Sequence, residues 1–349
     1  MKRIALVALC LMVLGGFASA EWTWVKSIDC SNAVTDGGRL KDIQADSSGS
    51  LYFTTYFGSA TRRIWKIANP ITETTPTLAA FETPAADYNS SNAATLAINA
   101  TGDVFLAMDT NDTATAWIKK YKSDGTLDTT FGSSGTLSPV VLNGTNHRPR
   151  SICFADSGSG KLLVATFSWP YYIGAVDALT GADGGALLAT VGDSDDNGTA
   201  TDIEVWNGLA YDPVENAIYG NAQADLMKAT GTSASLSDLS TFDSITMLQS
   251  NTRLNTSANG LCFLPSENLI AYTALQGTAS AIEIGVYSIL TELQDMAGEP
   301  AGYDGYINSG GACTLFTQGS SVYVAVVSYY SNTLEIFADT SAVDNWSRY

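Results

Sequence analysis

One pattern, two apolar strands separated by a polar turn, recurs six times along this chain. The clearest copies are 207–218 and 259–270, in which seven of twelve positions are identical. The first apolar residue after each turn is Leu51, Val104, Leu162, Ile218, Ile270 and Val322. These reference positions are separated by 53, 58, 56, 52 and 52 residues. A period of this size, built from β-branched and aromatic runs between Gly, Asn and Asp, predicts a β-propeller.

Each repeat also has room for two further strands, for example 63–67 and 78–81 in the first copy. Four strands make one propeller blade. The sequence therefore predicts an all-β, six-bladed β-propeller with four strands per blade. The sixth repeat has no fourth strand after Phe337, whereas an apolar segment, 22–28, precedes the first repeat. We expect this N-terminal strand to complete the last blade, which closes the ring and leaves no long unpaired edge.

The N-terminus has the pattern of a secretory signal peptide. Lys2 and Arg3 precede an apolar stretch from 4 to 17 and the small residues 18–20, which predicts cleavage after Ala20. Cys10 offers a lipoprotein alternative, but the large Leu9 before it disfavours that processing. The predicted organisation is a signal peptide at 1–20, a propeller at 21–339 and a C-terminal tail at 340–349. The mature protein is expected to be secreted, either periplasmic or extracellular.

The charge balance excludes some classes of partner. Without Lys2 and Arg3 the chain has 35 acidic and 15 basic residues, a net charge of −20. Such a field repels nucleic acid and anionic membrane surfaces. No second apolar run is long enough to span a bilayer, so we expect no nucleic-acid partner and no membrane insertion.

Four cysteines remain after signal removal: Cys30, Cys153, Cys262 and Cys313. An exported protein could pair them. The last three were aligned at one position of three repeats, which favours small buried thiols that pack around the ring. Both interpretations stay open at this point.

The segment 193–204 matches a calcium-loop pattern at every constrained position, with oxygen-bearing residues alternating before Gly198. Calcium requires six to eight hard oxygen ligands, and one loop of this spacing supplies most of them. The alternative is an acidic, solvated connection between blades three and four. The predicted ligands of this structural calcium ion are Asp193, Asp195, Asn197, Thr199 and Glu204.

Two stretches resemble known propeller families. The segment 122–135 in blade two is similar to the D-G-[ST]-L-D-x-[ST]-F-G-x-x-G stretch of the delta-60 repeat of bacterial exported proteins. This resemblance implies a propeller without a general activity. The Asn-Gly-Leu strands that begin at Asn207 and Asn259 resemble the gluconolactonase and senescence-marker-protein family. That resemblance implies that these two amides ligate a catalytic metal at the channel mouth.

Cations occupy the equivalent position in two other blades, where the repeat alignment gives Lys41 and Arg150. Cations that converge beside amides at a channel mouth would select an anionic or polyhydroxylated ligand, such as an acidic sugar. The alternative is that these are ordinary surface residues paired with the surplus carboxylates. The predicted ligand-binding residues are Lys41, Arg150, Asn207 and Asn259.

The sequence thus favours an exported binding or interaction module whose partner is a glycan, a small molecule or an extracellular protein. One alternative is a metal-dependent lactonase or esterase, and another is a structural component of an extracellular assembly. A Ser-His-Asp triad is not readable, because the only histidine, His147, has no nucleophile-elbow sequence around it.

Overall fold

The computed structural model describes a large part of the propeller region. The described residues are 22–34, 39–56, 64–82, 94–155, 160–192, 202–203, 205–222, 225–231, 239, 242–249, 261–266, 268–275, 282–288, 293–296, 312–327 and 332–339. The predicted signal peptide and C-terminal tail lie outside them. Among these residues no helix has the length and apolar character needed to cross a membrane.

The strands form six antiparallel four-stranded sheets, numbered here by the chain order of their first strands. Sheet 1 contains β2 (Arg39–Ala45), β3 (Leu51–Tyr56), β4 (Ile64–Ile67) and β5 (Leu78–Ala80). Sheet 2 contains β6 (Ala94–Ile98), β7 (Val104–Met108), β8 (Trp117–Tyr121) and β9 (Thr136–Leu137). Sheet 3 contains β12 (Pro149–Ala155), β13 (Lys161–Thr166), β14 (Tyr172–Asp177) and β15 (Asp183–Ala189).

The remaining sheets follow the same order. Sheet 4 contains β18 (Trp206–Asp212), β19 (Ala217–Ala222), β20 (Asp225–Gly231) and β21 (Phe242–Gln249). Sheet 5 contains β22 (Leu261–Leu264), β23 (Leu269–Leu275), β24 (Ile282–Ser288) and β25 (Leu293–Met296). Sheet 6 contains β26 (Cys313–Gln318), β27 (Ser321–Val327), β28 (Thr333–Asp339) and β1 (Trp22–Asp29).

Short elements connect these sheets. Two two-stranded ladders pair β10 (Val140–Leu142) with β11 (Thr145–His147) and β16 (Val191–Gly192) with β17 (Asp202–Ile203). A 3-10 helix spans Ser31–Ala33.

The first strands of the sheets form a closed ring. β2 contacts β6, and contacts continue through β12, β18, β22 and β26 back to β2. A ring of sheets around a central channel is the architecture of a β-propeller. The prediction of an all-β propeller is therefore confirmed. Side chains are described on all four strands in five of the sheets, whereas β24 and β25 of sheet 5 are described by backbone alone.

The N-terminal strand closes the ring as the sequence predicted. β1 runs antiparallel to β28, with Trp24 opposite Phe337 and Ile28 opposite Leu334. The Trp24 indole Nε1 donates a hydrogen bond to Glu335 Oε2 at 3.1 Å. The fourth strand of the last sheet thus comes from the other end of the chain, which removes an exposed sheet edge.

Aromatic residues fill the spaces between neighbouring sheets. Trp206 is fully buried, and its Nε1 donates to the Val191 carbonyl oxygen at 2.9 Å. A Cβ on Gly220, in the neighbouring strand β19, would lie 2.0 Å from the Trp206 ring, so only glycine fits at this point. Phe131, from the delta-60-like segment, is also fully buried and meets Phe105 edge-on, with 5.9 Å between ring centroids. That segment therefore has a packing role.

The four described cysteines are free thiols, which agrees with their interpretation as packing residues.

Strand register corrects one detail of the repeat alignment. Cys153 pairs with Leu163 and Cys262 with Ala271, each one position before the partner of the reference residue. Cys313 pairs with Val326 and therefore lies three positions earlier in its strand than the alignment placed it.

Candidate functional site at the channel mouth

Local irregularities of the innermost strands place three of the predicted ligand-binding residues. The pairing register shifts between Leu40 and Ile43 in β2, between Pro149 and Ser151 in β12, and between Trp206 and Leu209 in β18. Lys41, Arg150 and Asn207 each lie inside one of these shifts. A β-bulge re-aims side chains and bends its strand. The three shifts therefore turn equivalent positions of sheets 1, 3 and 4 away from regular pleating.

The glycine after Asn207 permits close contact between neighbouring sheets. A Cβ on Gly208 would lie 2.8 Å from Leu261 Cβ in sheet 5 and 2.7 Å from Asn221 Oδ1. Any larger residue would push sheets 4 and 5 apart. In this pair, Asn207 is a predicted ligand-binding residue, and Gly208 is required for the close packing of sheets 4 and 5.

Arg150 and Asn207 meet across two sheets. The guanidinium Nε of Arg150 donates a hydrogen bond to Asn207 Oδ1 at 2.7 Å. Asn207 is buried and Arg150 is half-buried. Burial is the main cause that lowers the pKa of Arg150, and the neighbouring Arg148 lowers it further, while Asp109 opposes both.

Lys41 belongs to the same cluster. Burial lowers the pKa of Lys41 to about 8, the positive charge of Arg150 adds to this effect, and Asp42 opposes it. The structure thus brings two sequence-predicted cations close enough for their charges to interact. Like charges held together in a poorly hydrated place are costly, and an anion between them relieves that cost.

A third cation, Arg148, lies beside this pair. Arg148 Nε and Nη2 donate to the Asp109 oxygens Oδ1 and Oδ2 at 2.6 and 2.8 Å. Its Nη2 also donates to Asn111 Oδ1 at 2.8 Å. This bidentate pair fixes Asp109, whose Oδ1 also accepts a hydrogen bond from the Asn111 backbone N–H at 2.9 Å. We name the cluster of Lys41, Arg148, Arg150 and Asn207 the basic mouth.

The carboxylates near the basic mouth are engaged by other groups. Asp42 is fully buried; its Oδ2 accepts a hydrogen bond from the Leu96 backbone N–H at 2.6 Å, and its Oδ1 accepts one from the Ile43 N–H at 2.8 Å. Asp109 pairs with Arg148. These two carboxylates therefore lie close to the three cations Lys41, Arg148 and Arg150.

Three aromatic side chains of the loop after β13 pack in series, beginning beside the two arginines. The guanidinium carbons of Arg148 and Arg150 lie 5.0 and 5.1 Å from the Phe167 ring centroid. Phe167 stacks with Tyr171, and Trp169 meets Tyr171 edge-on, with centroid separations of 6.3 and 5.6 Å. Trp169 is 70% exposed. These rings were not predicted as part of the site, although the aromatic-rich loop 167–171 between β13 and β14 is visible in the sequence.

The other predicted residues are not part of the described basic mouth. Asn259 and all five predicted calcium ligands, Asp193, Asp195, Asn197, Thr199 and Glu204, lie outside the described residues. His147 is buried beside Tyr172, with ring centroids 6.3 Å apart, and burial is the main cause that lowers the pKa of His147. His147 therefore packs against sheet 3, and it is not one of the residues that define the basic mouth.

A separate cavity of about 400 Å³ occupies the central channel. All six innermost strands line it, with apolar side chains such as Leu96 and Leu209 beside polar ones such as Gln44 and Thr314. Lys41, Arg150 and Asn207 are not among the residues that line this cavity, and they lie nearer the beginning of the innermost strands.

No group of three or more His, Cys, Asp or Glu side chains within the described ranges is arranged to hold a metal ion. The Asn207 amide oxygen accepts a hydrogen bond from a cation, Arg150, where a metal site would need further oxygen ligands.

Comparison with known proteins extends to the fold only. No family model matches the chain, and no curated protein matches it. The delta-60 and gluconolactonase resemblances are therefore not confirmed. A chain in the crystal structure of a nidogen/laminin complex is similar over 75% of this chain and 80% of that chain, with 13% identity and a TM-score of 0.47. Chaetomium thermophilum Raptor is similar over 88% of this chain but only 24% of that chain, with 10% identity and a TM-score of 0.51.

Proposed function

We propose that this protein is an exported binding module that holds an acidic saccharide at the basic mouth. The hydrogen bond between Arg150 and Asn207, with Lys41 beside it, is the observation that supports this function most directly. A carboxylate on the ligand would sit between Lys41 and Arg150 and accept charge-assisted hydrogen bonds from both. The site is expected to attract anions although the whole chain is acidic, because Lys41, Arg148 and Arg150 lie close together there.

The sugar part of the proposal rests on the neighbouring groups. Sugar hydroxyls need donors and acceptors, which the Asn207 amide and the Asn111 amide supply. The exposed Trp169 offers an apolar ring face near the arginines, on which a pyranose ring can pack. A ligand with one carboxylate and several hydroxyls uses both features, whereas a simple inorganic anion would use only the cations.

The ring that carries this site is proposed to have six blades. The six sheets and the cyclic contacts of their first strands support this number. A blade count from the same structure gives five, so the sixth blade is part of the proposal. A crystal structure that resolves all six sheets tests the number.

Calcium binding at 193–204 and export after Ala20 complete the proposal, and both rest on sequence alone. The oxygen-rich spacing supports a calcium ion with a structural role. Fractionation of cells that produce the full chain, combined with N-terminal sequencing of the exported form, tests the signal peptide. A mature N-terminus at Glu21 is the expected result.

The binding function is tested with uronic-acid oligosaccharides and their neutral counterparts in calorimetric titrations of the purified protein. We expect binding of the acidic sugars alone, with weaker binding as ionic strength rises. Equal binding of neutral and acidic sugars would contradict the role of the cations. Binding of neither class, together with capture of inorganic anions, would replace the saccharide with a simple anion.

A further inference from the structure

Two of the free thiols lie against each other between sheets 5 and 6. Both belong to one cluster of packed side chains, and after burial the Cys262 side chain is the next cause that raises the pKa of Cys313. Independently, the backbone N–H of Leu315, two residues after Cys313, donates to Cys262 Sγ at 2.9 Å. The strands that carry them, β22 and β26, are neighbours in the inner ring. The two cysteines are thus 51 positions apart in the chain but adjacent in the fold.

We propose that Cys262 and Cys313 form a reversible disulfide that covalently links sheets 5 and 6. Both thiols belong to one buried apolar cluster, which holds their strands in fixed relation. The bond would join the last sheet, which also carries the N-terminal strand, to the sheet before it. This inference does not depend on ligand binding at the basic mouth.

The two thiols have different roles in the oxidation. Cys262 lines the central cavity, while Cys313 is fully buried behind it. A small disulfide that enters the cavity is attacked by the Cys262 thiolate, which forms a mixed disulfide and releases one thiol. Cys313 then loses its proton and attacks the Cys262 sulfur, which releases the second thiol. Overall, two protein thiols are oxidised to one disulfide, and one small disulfide is reduced to two thiols.

The other described cysteines are not suited to this pairing. Cys30 is fully buried, and its thiol donates to the Ile28 carbonyl oxygen at 3.6 Å. Cys153 lines the cavity from sheet 3, but its pKa is raised by burial alone, without any contribution from a second thiol. Cys153 is therefore a matched internal control that shares the cavity and lacks a neighbouring thiol.

The test is peptide mapping of the intact folded protein after incubation with oxidised glutathione. Alkylation of remaining thiols is followed by digestion on the carboxyl side of Glu, which separates the two cysteines at Glu267, Glu283 and Glu292. We expect the peptides that contain Cys262 and Cys313 to be linked, and Cys30 and Cys153 to be alkylated. Reduction before digestion should release the link.

Variants make the assignment specific. Cys262→Ser and Cys313→Ser should each abolish the link, whereas Cys153→Ser should leave it unchanged. The oxidised wild-type protein should also melt at a higher temperature than the reduced one, because the bond restricts the unfolded chain. Alkylation of both Cys262 and Cys313 in the oxidised wild-type protein, or a link from either one to Cys30 or Cys153, would overturn the proposal without any variant.

Discussion

Arg150 Nε lies 2.7 Å from Asn207 Oδ1 and donates a hydrogen bond to it across sheets 3 and 4. The two residues are 57 positions apart and lie at matching register shifts of β12 and β18. The repeat thus brings a guanidinium and an amide together at one end of the ring. Lys41 reaches the same place from sheet 1, which makes the mouth a candidate site for an anion.

Arg150→Ala is expected to weaken binding of an acidic oligosaccharide by about tenfold or more, because a hydrogen bond to a charged group contributes roughly 1.5–3 kcal/mol. Lys122→Ala removes an equal charge from an exposed turn and should change affinity little. Calorimetric titration of both variants checks this difference. Equal effects of the two substitutions would reduce the role of Arg150 to the general field of the protein.

Binding of an acidic ligand is expected to weaken as pH rises through about 8, where buried Lys41 loses its proton. The stability of the fold changes with pH in the opposite direction. The pKa of Lys41 is lower in the folded protein than in the unfolded chain, so between about pH 8 and 10.5 the unfolded chain binds more protons. The free energy of unfolding therefore increases with pH across this range. Titrations and urea unfolding across this range measure the two trends. Lys41→Met should remove both, and persistence of both trends in that variant would assign them to another group.

Trp169→Ala is expected to reduce saccharide affinity without lowering the melting temperature, because Trp169 is 70% exposed. A stacked ring contributes about 0.5–1.5 kcal/mol in comparable contacts, which corresponds to a few-fold to about tenfold loss. Leu179→Ala is the matched control, since Leu179 is 68% exposed and carries no aromatic ring. An affinity loss in the Leu179 variant as large as that in the Trp169 variant would remove the ring from the proposed site.

Gly220→Ala is expected to destabilise the fold by about 1–3 kcal/mol, a typical cost of overpacking. The new Cβ would lie 2.0 Å from the Trp206 ring. Trp206→Leu in the same chain should recover part of this loss by making room. Urea unfolding of the two single variants and the double variant measures the coupling, and strictly additive effects would show that the clash is absent.

Chelation is expected to lower the melting temperature if 193–204 binds calcium, and Asp193→Ala should abolish that sensitivity. The metal content before and after chelation must be measured, because a tightly bound ion resists removal. A melting curve that stays unchanged after the metal has demonstrably left would reduce this loop to an acidic turn.

Repetition made the fold readable from the sequence. The alternation of strands and turns predicted four-stranded sheets, and the missing fourth strand after Phe337 predicted the pairing of β1 with β28. These features depend on local pattern and on counting, which a linear sequence contains. Lys41, Arg150 and Asn207 were also predicted in this way, because equivalent repeat positions occupy equivalent places around a ring.

Contacts between repeats were decided only by the tertiary structure. The sequence placed Cys313 at the position of Cys262, whereas strand register shifts it by three residues and turns it toward the Cys262 side chain. The sequence also did not indicate that Phe167 packs against the arginines, or that Tyr171 and Trp169 pack in turn beside Phe167. Sequence periodicity determines which strands form, but bulges and the packing of one sheet on the next determine which side chains meet, because both depend on groups distant in the chain.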